Sequence, residues 1–530
     1  MRRFYSYGPV DCKRHFCVPR TELVEHCLAS LIGDPAERGH YFTIWAPRQT
    51  GKTWLMRQVI REITERYHDH FTIGYLSMQG VILEGHDEPK TFLEYVPRLF
   101  FESFTLDVAQ PASWSEWTGL FLKARGLFEK PLLLFIDEFD SLPSSVIDRL
   151  VTLFRDMYLK QDVYLLHGLA LVGVRAVLGI ESERGSPFNI QRSLHVPNLT
   201  VEEVRDLFQQ YQEESGQQVV PEVGEAAYHA TNGQPGLVGW FGELLTEKYN
   251  PGNNHPIDLE TWEWSWHQAQ YVEPNNFIMN LIAKARVPEY QEFLLTLFTQ
   301  ADLPFVFHHP LHNYLYLHGI LESETVRRPS GELAQVCRFA SPFVQKCLYD
   351  ALGEELLENR SPILALDPLD DLADVFAGDE VNLPALLRRY TDYLARLKTR
   401  GINPWKDQPR RRTDLHLTEA VGHFHLYAWL QEAVGRQCVV SPEFPTGNGK
   451  VDIHVKCGSQ QGISEVKSFA GLYQNKKDRV QAARYAKSLG VEAVTLAVFI
   501  PVEDETILAK LSGENAIDGV LVSVVAIGWV

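Results

Sequence analysis

The sequence predicts an α/β protein of several domains. Its 530 residues exceed what one compact core normally contains, so more than one domain is expected. An apolar run at Tyr41–Trp45 leads through a turn-like segment to an amphipathic stretch, Thr53–Tyr67, and to a second apolar run, Thr72–Met78. This strand, loop, helix, strand rhythm is typical of a parallel sheet. A second series of helix and strand patterns occupies residues 415–500, so we expect two separate α/β domains.

The composition is that of an ordinary globular protein, with 45% apolar, 11% aromatic and 22% charged residues. A net charge of −18 excludes a protein that is coated with nucleic acid over its whole surface. The seven cysteines are scattered and odd in number, so we expect neither a disulfide framework nor a cysteine-rich zinc site. This cysteine usage fits the reducing cytoplasm best. The chain shows no signal peptide and no apolar run of about 18 residues, so a protein that does not enter a membrane is expected.

The charge is unevenly distributed along the chain. Between Ala385 and Gly490, 18 Lys+Arg stand against 9 Asp+Glu, so this stretch carries about +9 and the remainder about −27. The segment before it, ELLENRSPILALDPLDDLADVFAGDE, is acidic and rich in turn residues. We therefore predict an acidic linker followed by a basic domain, which is a candidate for binding nucleic acid.

The loop after the first predicted strand has the spacing of a phosphate-binding loop. Eight residues match GxxxxGK[ST], with alanine in place of the first glycine: Ala46, Pro47, Arg48, Gln49, Thr50, Gly51, Lys52 and Thr53. Such a loop curls backbone N–H groups around the phosphates of ATP, while its lysine contacts the β and γ oxygens and its hydroxyl binds Mg²⁺. A chance loop is the alternative, but the strand before the motif and the helix after it favour the phosphate site.

A buried strand that ends in acidic residues supplies the expected second half of this site. The segment LLLFIDEFD has this form. Asp137 is predicted to hold Mg²⁺ through water, and Glu138 to orient and deprotonate the attacking water. Asp140 is interpreted as a cap or turn residue. An ordinary edge strand could also end in acids, but the loop upstream favours a nucleotide site.

Several segments together resemble an AAA-like P-loop ATPase of the AAA+/STAND type. They are YFTIWAPRQTGKTWL, LLLFIDEFDSL, LVGVR, SPFNIQRSLHVPNLTVEEV and GQPGLV, and the opening GPVDCKRHFCVPR resembles the lead-in of that group. The resemblance covers roughly residues 1–350 and implies ATP hydrolysis. It also implies that Arg175 senses the γ-phosphate and that the turn Gly233-Gln234-Pro235 belongs to a lid over the nucleotide. Arg184 and Arg192 are candidates for arginine fingers in a homo-oligomer, or are solvated surface arginines.

A second group of chemically active residues lies in the basic domain. Asp452 is followed thirteen residues later by Glu465-Val466-Lys467. Residues i and i+2 of a strand point to one face, so Glu465 and Lys467 share a side, and Asp452 reaches it if the two strands pair as a hairpin. Two carboxylates would then hold Mg²⁺ or Mn²⁺, with the lysine beside the attacking water or the developing charge on phosphorus. Charged residues on strands can also form a solvated face.

This D…ExK pattern and the αβββαβ order around it resemble the PD-(D/E)XK nuclease core over about residues 410–530. The resemblance assigns Glu419, on the preceding helix, as an additional acid of the site. It also matches Gln481 and Tyr485 to the QxxxY of the following helix, and Lys450 to a basic position two residues before Asp452. The usual PD is Val451-Asp452 here. His423 and His425, two residues apart on one helix, are interpreted as surface or structural residues rather than as metal ligands.

The segment LYLHGILESETVRRPSGELAQVCRFASPFVQKCL resembles a winged-helix module. The fold class is therefore an α/β multidomain protein: a P-loop NTPase sheet with a helical lid and a winged helix, joined to a restriction-endonuclease-like domain. The predicted boundaries are a lead-in at 1–40, the ATPase core at 41–200, the lid at 201–285, the winged helix at 286–356, the acidic linker and a helix at 357–400, and the nuclease at 401–530.

The expected function is an ATP-dependent or ATP-regulated, metal-dependent nuclease that acts on DNA. One alternative is a nucleotide-driven, oligomerising signalling switch whose C-terminal domain is the effector. Another is a DNA-binding ATPase whose nuclease fold is inactive. The residues predicted for nuclease catalysis are Asp452, Glu465, Lys467, Glu419 and Gln481, with Asp452 and Glu465 as the metal ligands.

Overall fold

A computed structural model describes most of the chain. The described residues are 1–34, 39–173, 192–250, 255–300, 303–328, 331–356, 363–378, 380–406, 408–411, 414–443, 452–469, 472–488 and 491–529. Within these ranges the description does not extend to a few side chains, among them those of Asp452, Tyr485 and Arg192. Arg175, Arg184 and Lys450 lie outside the described residues. None of the described helices combines the length and the apolar character that crossing a membrane requires.

The chain divides into two compact units. The first contains residues 1–277, 314–320 and 340–343, and the second contains residues 278–313, 321–339 and 344–530. The segment predicted as a winged helix contributes residues to both units. The two units are defined by spatial contacts, and each consists of several separate segments of the chain. They therefore do not test the predicted domain boundaries, which remain predictions.

The first unit opens with a three-layer α/β core and continues into helices. Its α-helices are α1 (Thr21–Ile32), α2 (Lys52–Arg66), α3 (Val96–Phe104), α4 (Trp114–Gly119), α5 (Ser144–Leu159), α6 (Val201–Ser215), α7 (Pro221–Thr231), α8 (Pro235–Glu243) and α9 (Leu259–Tyr271). Its strands are β1 (Tyr41–Trp45), β2 (Thr72–Ser77), β3 (Leu132–Asp137), β4 (Leu166–Gly173) and β5 (Arg192–His195). A π-helical turn, Leu244–Lys248, follows α8.

The five strands form one parallel sheet in the order β2-β3-β4-β1-β5. Both faces are covered, and β3 shows how. Leu132, Leu134 and Ile136 belong to one hydrophobic core, whereas Leu133 and Phe135 belong to the core on the other face with α1 and α2. A strand buried on both sides must be apolar throughout, which explains the unbroken run LLLFI. The carboxyl ends of β1 and β3 meet at the same edge of the sheet, where Ala46 and Asp137 lie.

Helices α6 to α9 form the predicted lid region. Helix α6 begins with the expected capping box, because the Thr200 hydroxyl accepts from the Glu203 N–H and the Glu203 carboxylate accepts from the Thr200 N–H. The N-terminal segment packs on these helices. Phe4 lies 5.1 Å from Phe208, ring centroid to ring centroid, and the Ser6 N–H and hydroxyl both donate to Glu243.

The segment between the lid and the basic region contains four helices and a pair of strands. They are α10 (Asn276–Ala285), α11 (Pro288–Thr299), α12 (Pro310–Leu317), β6 (Leu321–Arg327), β7 (Leu333–Phe339) and α13 (Pro342–Leu356). Gly319 makes the predicted turn with a φ of 80°, and β6 pairs with β7 as an antiparallel hairpin. The winged-helix assignment itself remains a prediction.

The second unit contains a mixed six-stranded sheet in the order β12-β13-β11-β10-β9-β8. Its helices are α14 (Leu383–Thr399), α15 (Glu419–Val434), α16 (Leu472–Ser488) and α17 (Glu505–Leu511), and its strands are β8 (Val439–Glu443), β9 (Asp452–Cys457), β10 (Gln460–Ser468), β11 (Ala493–Ile500), β12 (Gly513–Ile517) and β13 (Val520–Gly528). Strands β8 to β10 are antiparallel neighbours, and β11 runs parallel to β10. The order α15, β8, β9, β10, α16, β11 is the predicted αβββαβ order.

The acidic segment before α14 is not a free linker. Ile363, Ala365 and Val375 are buried in one core with α14, α15 and the sheet. Its aspartates face solvent while these three apolar residues insert, a division that composition alone does not reveal. Residues 363–376 therefore belong to the second unit.

The cysteines differ from expectation, because two disulfides are present. Cys12 pairs with Cys17, and Cys438 pairs with Cys457. The pairing of Val439 with Lys456 brings Cys438 opposite Cys457 on adjacent antiparallel strands, a proximity that depends on strand register and not on spacing in the sequence. The expectation of no disulfides is wrong, so cysteine usage no longer supports the predicted cytoplasmic location.

Candidate functional sites

The loop between β1 and α2 has the backbone that a phosphate-binding loop needs. Gln49 and Gly51 both have positive φ values, 59° and 93°. Gly51 immediately precedes Lys52, the first residue of α2. The N–H groups of the first helical turn have no partner within the helix, and they point toward the loop. A Cβ placed on Gly51 would meet nothing within 4 Å, so its backbone conformation, rather than crowding, explains the glycine.

The Lys52 ammonium lies against the loop. Nζ donates to the carbonyls of Ala46 (2.8 Å) and Pro47 (2.6 Å). Burial lowers the pKa of Lys52 to about 8, although Asp140, Glu138 and Asp137 act in the opposite direction. A cation held in a desolvated position, with two neutral carbonyls as its described hydrogen-bond partners, is well placed to receive an anionic ligand.

The two acids at the end of β3 lie beside the loop. The Thr53 hydroxyl donates to Asp137 Oδ2 at 3.2 Å, so the two residues predicted to share Mg²⁺ are in contact. Asp137 Oδ1 accepts from the Glu138 N–H at 3.0 Å. Glu138 has a φ of 52°, and burial, reinforced by Asp137 and Asp140, raises the pKa of its carboxyl group. A raised pKa suits a carboxylate that accepts a proton.

The structure adds Tyr75, which the sequence did not single out, and it gives contacts for Gln234, which the sequence placed only in the lid turn. The Tyr75 hydroxyl donates to Asp137 Oδ2 at 3.3 Å, because β2 lies next to β3. The Gln234 side chain reaches the loop from the lid, donating to the carbonyls of Arg48 (3.1 Å) and Gln49 (3.3 Å). Neither contact has a signal in the sequence beyond the GQP turn itself. Arg175, the predicted γ-phosphate sensor, lies outside the described residues.

The comparison with known protein families supports the interpretation of this loop as a nucleotide site. The model of a family described as the AAA-like domain matches residues 5–241. Residues 5–241 are an AAA-like P-loop ATPase domain. None of the curated proteins matches the sequence.

Solved structures of low identity resemble the chain. A Walker-type ATPase of Pyrococcus abyssi is 17% identical, with 65% of this chain and 99% of that chain covered and a TM-score of 0.45. The RuvB Holliday junction branch migration motor of Thermotoga maritima is 16% identical (60% and 91% covered, TM-score 0.34). The Orc1 protein of Aeropyrum pernix, solved in complex with DNA, is 15% identical (65% and 95% covered, TM-score 0.33).

A second candidate site lies on β10 of the second unit. Lys467 Nζ lies 2.8 Å from Glu465 Oε1 and 3.5 Å from Glu419 Oε2. Lys467 and Glu465 are only 5% and 3% exposed. Glu465 and Lys467 share one face of the strand as predicted, and α15 packs on β10 so that Glu419, its first residue, reaches the same place. Three of the five predicted residues therefore come together.

Asp452 and Gln481, the other two, are placed less completely. Asp452 begins β9 and pairs with Glu443. The β9–β10 register pairs Ile453 with Ser464. If the same register continues by one residue, Asp452 is opposite Glu465, which is the arrangement expected of a hairpin. Gln481 lies on the exposed side of α16, and the contacts described for Lys467 do not include it. No group of three or more His, Cys, Asp and Glu suited to a metal occurs among the residues that the structure describes.

His423 is buried and His425 is half-buried, and each contacts a tyrosine hydroxyl. His423 Nε2 lies 2.6 Å from the Tyr349 hydroxyl, and His425 Nδ1 lies 2.6 Å from the Tyr390 hydroxyl. Burial lowers the pKa of His423 to about 3, with a further contribution from the Lys467 charge, and burial lowers the pKa of His425 to about 4. Both imidazoles therefore remain neutral in the folded protein at neutral pH. Each histidine has a tyrosine hydroxyl as its partner.

We expect the second unit to lose stability in mild acid because of these histidines. The unfolded chain takes up protons below the ordinary histidine pKa near 6.5, whereas the folded chain does so only near 4 and 3. Their stabilising contribution is therefore complete above pH 6.5 and is lost as the pH falls toward those values. At pH 5 the loss is roughly 2 kcal/mol for each histidine.

Urea unfolding at pH 7.5 and pH 5 measures this effect. In His425→Asn, which cannot titrate, the difference between the two pH values should shrink by about half. The exposed residue His308 provides the control, His308→Asn, which should behave as the wild type. An unchanged difference in His425→Asn would show that the histidine is not held neutral by the fold.

Proposed function

We propose that the chain is an ATP-dependent or ATP-regulated nuclease that cleaves DNA with Mg²⁺. The observation that carries the proposal is the buried group of Lys467, Glu465 and Glu419 on the αβββαβ sheet, in a chain that also contains an AAA-like ATPase domain. Ion pairs of this degree of burial are weak stabilisers, because desolvation offsets their attraction. The burial of Lys467 and Glu465 on β10, an interior strand of the sheet, therefore favours a role in chemistry over one in folding.

At the ATPase site, the proposal assigns phosphate binding to the loop 46–51 and to Lys52. Thr53 and Asp137 are assigned to Mg²⁺ and Glu138 to the attacking water. Three observations support these roles: the ammonium of Lys52 donates to two neutral carbonyls, Thr53 touches Asp137, and the pKa of Glu138 is raised. Arg175 remains the proposed sensor, and Arg184 or Arg192 the proposed finger in a homo-oligomer.

At the nuclease site, the donor set fits a hard divalent cation, because carboxylate oxygens are the preferred ligands of Mg²⁺ and Mn²⁺. Glu465, Asp452 and Glu419 are the residues that would hold it. The chemistry that the metal supplies when bound is polarisation of the phosphodiester and activation of a water. Lys467, held by the two glutamates, would then stabilise the negative charge that develops on the phosphate oxygens.

DNA is the proposed substrate because the second unit carries the basic stretch of the chain. On α16, Ala482, Ala483 and Ala486 are buried in a core with the sheet, whereas Gln481, Arg484 and Lys487 are exposed. A helix that buries its small residues and exposes its basic ones can lie along a phosphate backbone.

Incubation of the full chain with supercoiled plasmid and Mg²⁺ tests this function. Nicked or linear product is expected with Mg²⁺ and ATP, and none with excess EDTA. A single-stranded RNA of similar length serves as the competing substrate. Intact plasmid under all nucleotide and metal conditions would contradict the nuclease assignment and leave an ATPase that binds DNA.

A further inference from the structure

The lid contacts the phosphate-binding loop through both ends of one amide side chain. Gln234 Nε2 donates to the carbonyls of Arg48 and Gln49, at 3.1 and 3.3 Å. Its Oε1 accepts from the Leu237 N–H at the start of α8. The amide of glutamine donates to carbonyls at one end and accepts from a backbone N–H at the other, so it satisfies both sides of this position. The side chain is only 7% exposed, which makes each of these bonds difficult to replace with water.

A second contact lies beside the first. The Gly236 N–H donates to the Gln49 carbonyl at 3.1 Å. A Cβ on Gly236 would lie 2.6 Å from Gln49 Oε1 and 2.7 Å from Gln49 Cβ. The start of α8 therefore approaches the loop so closely that a side chain at position 236 would collide with it.

These bonds act on the half of the loop that faces away from a nucleotide. In a planar trans peptide the C=O and the N–H point in opposite directions. The Arg48 carbonyl shares a peptide with the Gln49 N–H, and the Gln49 carbonyl shares one with the Thr50 N–H. Hydrogen bonds from Gln234 and Gly236 to these carbonyls therefore fix the direction of the two N–H groups that a phosphate-binding loop turns toward its ligand.

We propose that Gln234 is a positioning residue that couples the lid to the phosphate-binding loop. It pre-orients the loop N–H groups for phosphate, and a phosphate bound to them in turn strengthens the lid contact. This reciprocity follows from linkage, because a contact that favours binding must be favoured by binding. The inference rests on the proposed nucleotide site and adds how its occupancy reaches the lid.

Gln234→Glu is the variant that tests the coupling. It keeps the size of the side chain and the acceptor for the Leu237 N–H, but it replaces the donor with an anionic oxygen that faces two carbonyls. We expect affinity for Mg²⁺–ADP to fall by about tenfold or more. We also expect faster hydrogen exchange at the Gly236 amide without nucleotide, and loss of the further slowing that Mg²⁺–ADP produces across residues 234–242 in the wild type.

Two other variants make the result decisive. Gln218→Glu makes the same change at an exposed glutamine of the lid and should behave as the wild type. Gly236→Ala disturbs the loop from the neighbouring contact and gives the answer if Gln234→Glu does not fold. The proposal is overturned if folded Gln234→Glu and Gly236→Ala show wild-type affinity and exchange. Failure of the wild type to bind ADP would refute the nucleotide site instead, while the exchange measurement without nucleotide would still test the lid contact.

Discussion

Lys52→Ala is expected to reduce ATP affinity by about 30-fold or more. The ammonium is the full charge that the loop directs at its ligand, and removal of one partner of a desolvated charge pair costs about 2–5 kcal/mol. The fold should tolerate the change, because burial already disfavours the charged form of this lysine. Titration with a fluorescent ATP analogue measures the affinity. The exposed Lys90 gives the control, Lys90→Ala, which should bind as the wild type.

Glu138→Gln separates binding from turnover at the same site. The amide cannot accept a proton from water, so hydrolysis should fall by about 10²–10⁴ while ATP affinity stays near that of the wild type. The pair of variants therefore distinguishes a phosphate ligand from a general base. Hydrolysis at the wild-type rate in Lys52→Ala would show that the loop is not the nucleotide site.

Asp452→Ala is expected to eliminate DNA cleavage while leaving basal ATP hydrolysis nearly intact. The residue begins β9 in the second unit, whereas the phosphate-binding loop belongs to the first unit. Plasmid nicking and phosphate release, measured on the same preparation, give both activities. Lys456→Ala, at an exposed position of the same strand, is the matched control and should keep both.

Lys467→Ala should also abolish cleavage, and it carries a cost to folding. Its removal leaves Glu465 buried without its cation, which typically destabilises by about 3–5 kcal/mol. Thermal unfolding of both variants is therefore part of the experiment. Cleavage that persists in folded Asp452→Ala would assign the activity to another part of the chain.

Local patterns were sufficient to predict the start of the parallel sheet, the αβββαβ order and the candidate residues of both sites, whereas β5, β12 and β13 were not predicted. Short stretches of sequence contain the signals for the phosphate-binding loop, the acids after β3 and the αβββαβ order. In each stretch the apolar periodicity changes at Gly, Pro or polar residues. Glu465 and Lys467 share a face because strands alternate, which needs no knowledge of the rest of the fold.

Contacts that depend on the packing of distant elements could not be predicted in this way. Tyr75 reaches Asp137 only because β2 is the neighbour of β3, and Gln234 meets the loop only because α8 packs there. The Cys438–Cys457 pair required the register of two strands, and the insertion of Ile363 and Val375 into a core was hidden by the acidic residues around them. Each of these contacts forms only when separate elements pack together, so no short stretch of sequence contains a signal for it.

We propose that nucleotide state governs DNA cleavage, and the rate of plasmid cleavage under different nucleotide conditions tests this proposal. Cleavage of plasmid in Mg²⁺ is followed with ATP, with a non-hydrolysable ATP analogue and without nucleotide, for the wild type and for Lys52→Ala. We expect the cleavage rate of the wild type to depend on the nucleotide and the cleavage rate of Lys52→Ala to be independent of it. Equal rates in the wild type under all three conditions, matched by Lys52→Ala, would contradict coupling and leave two independent activities on one chain.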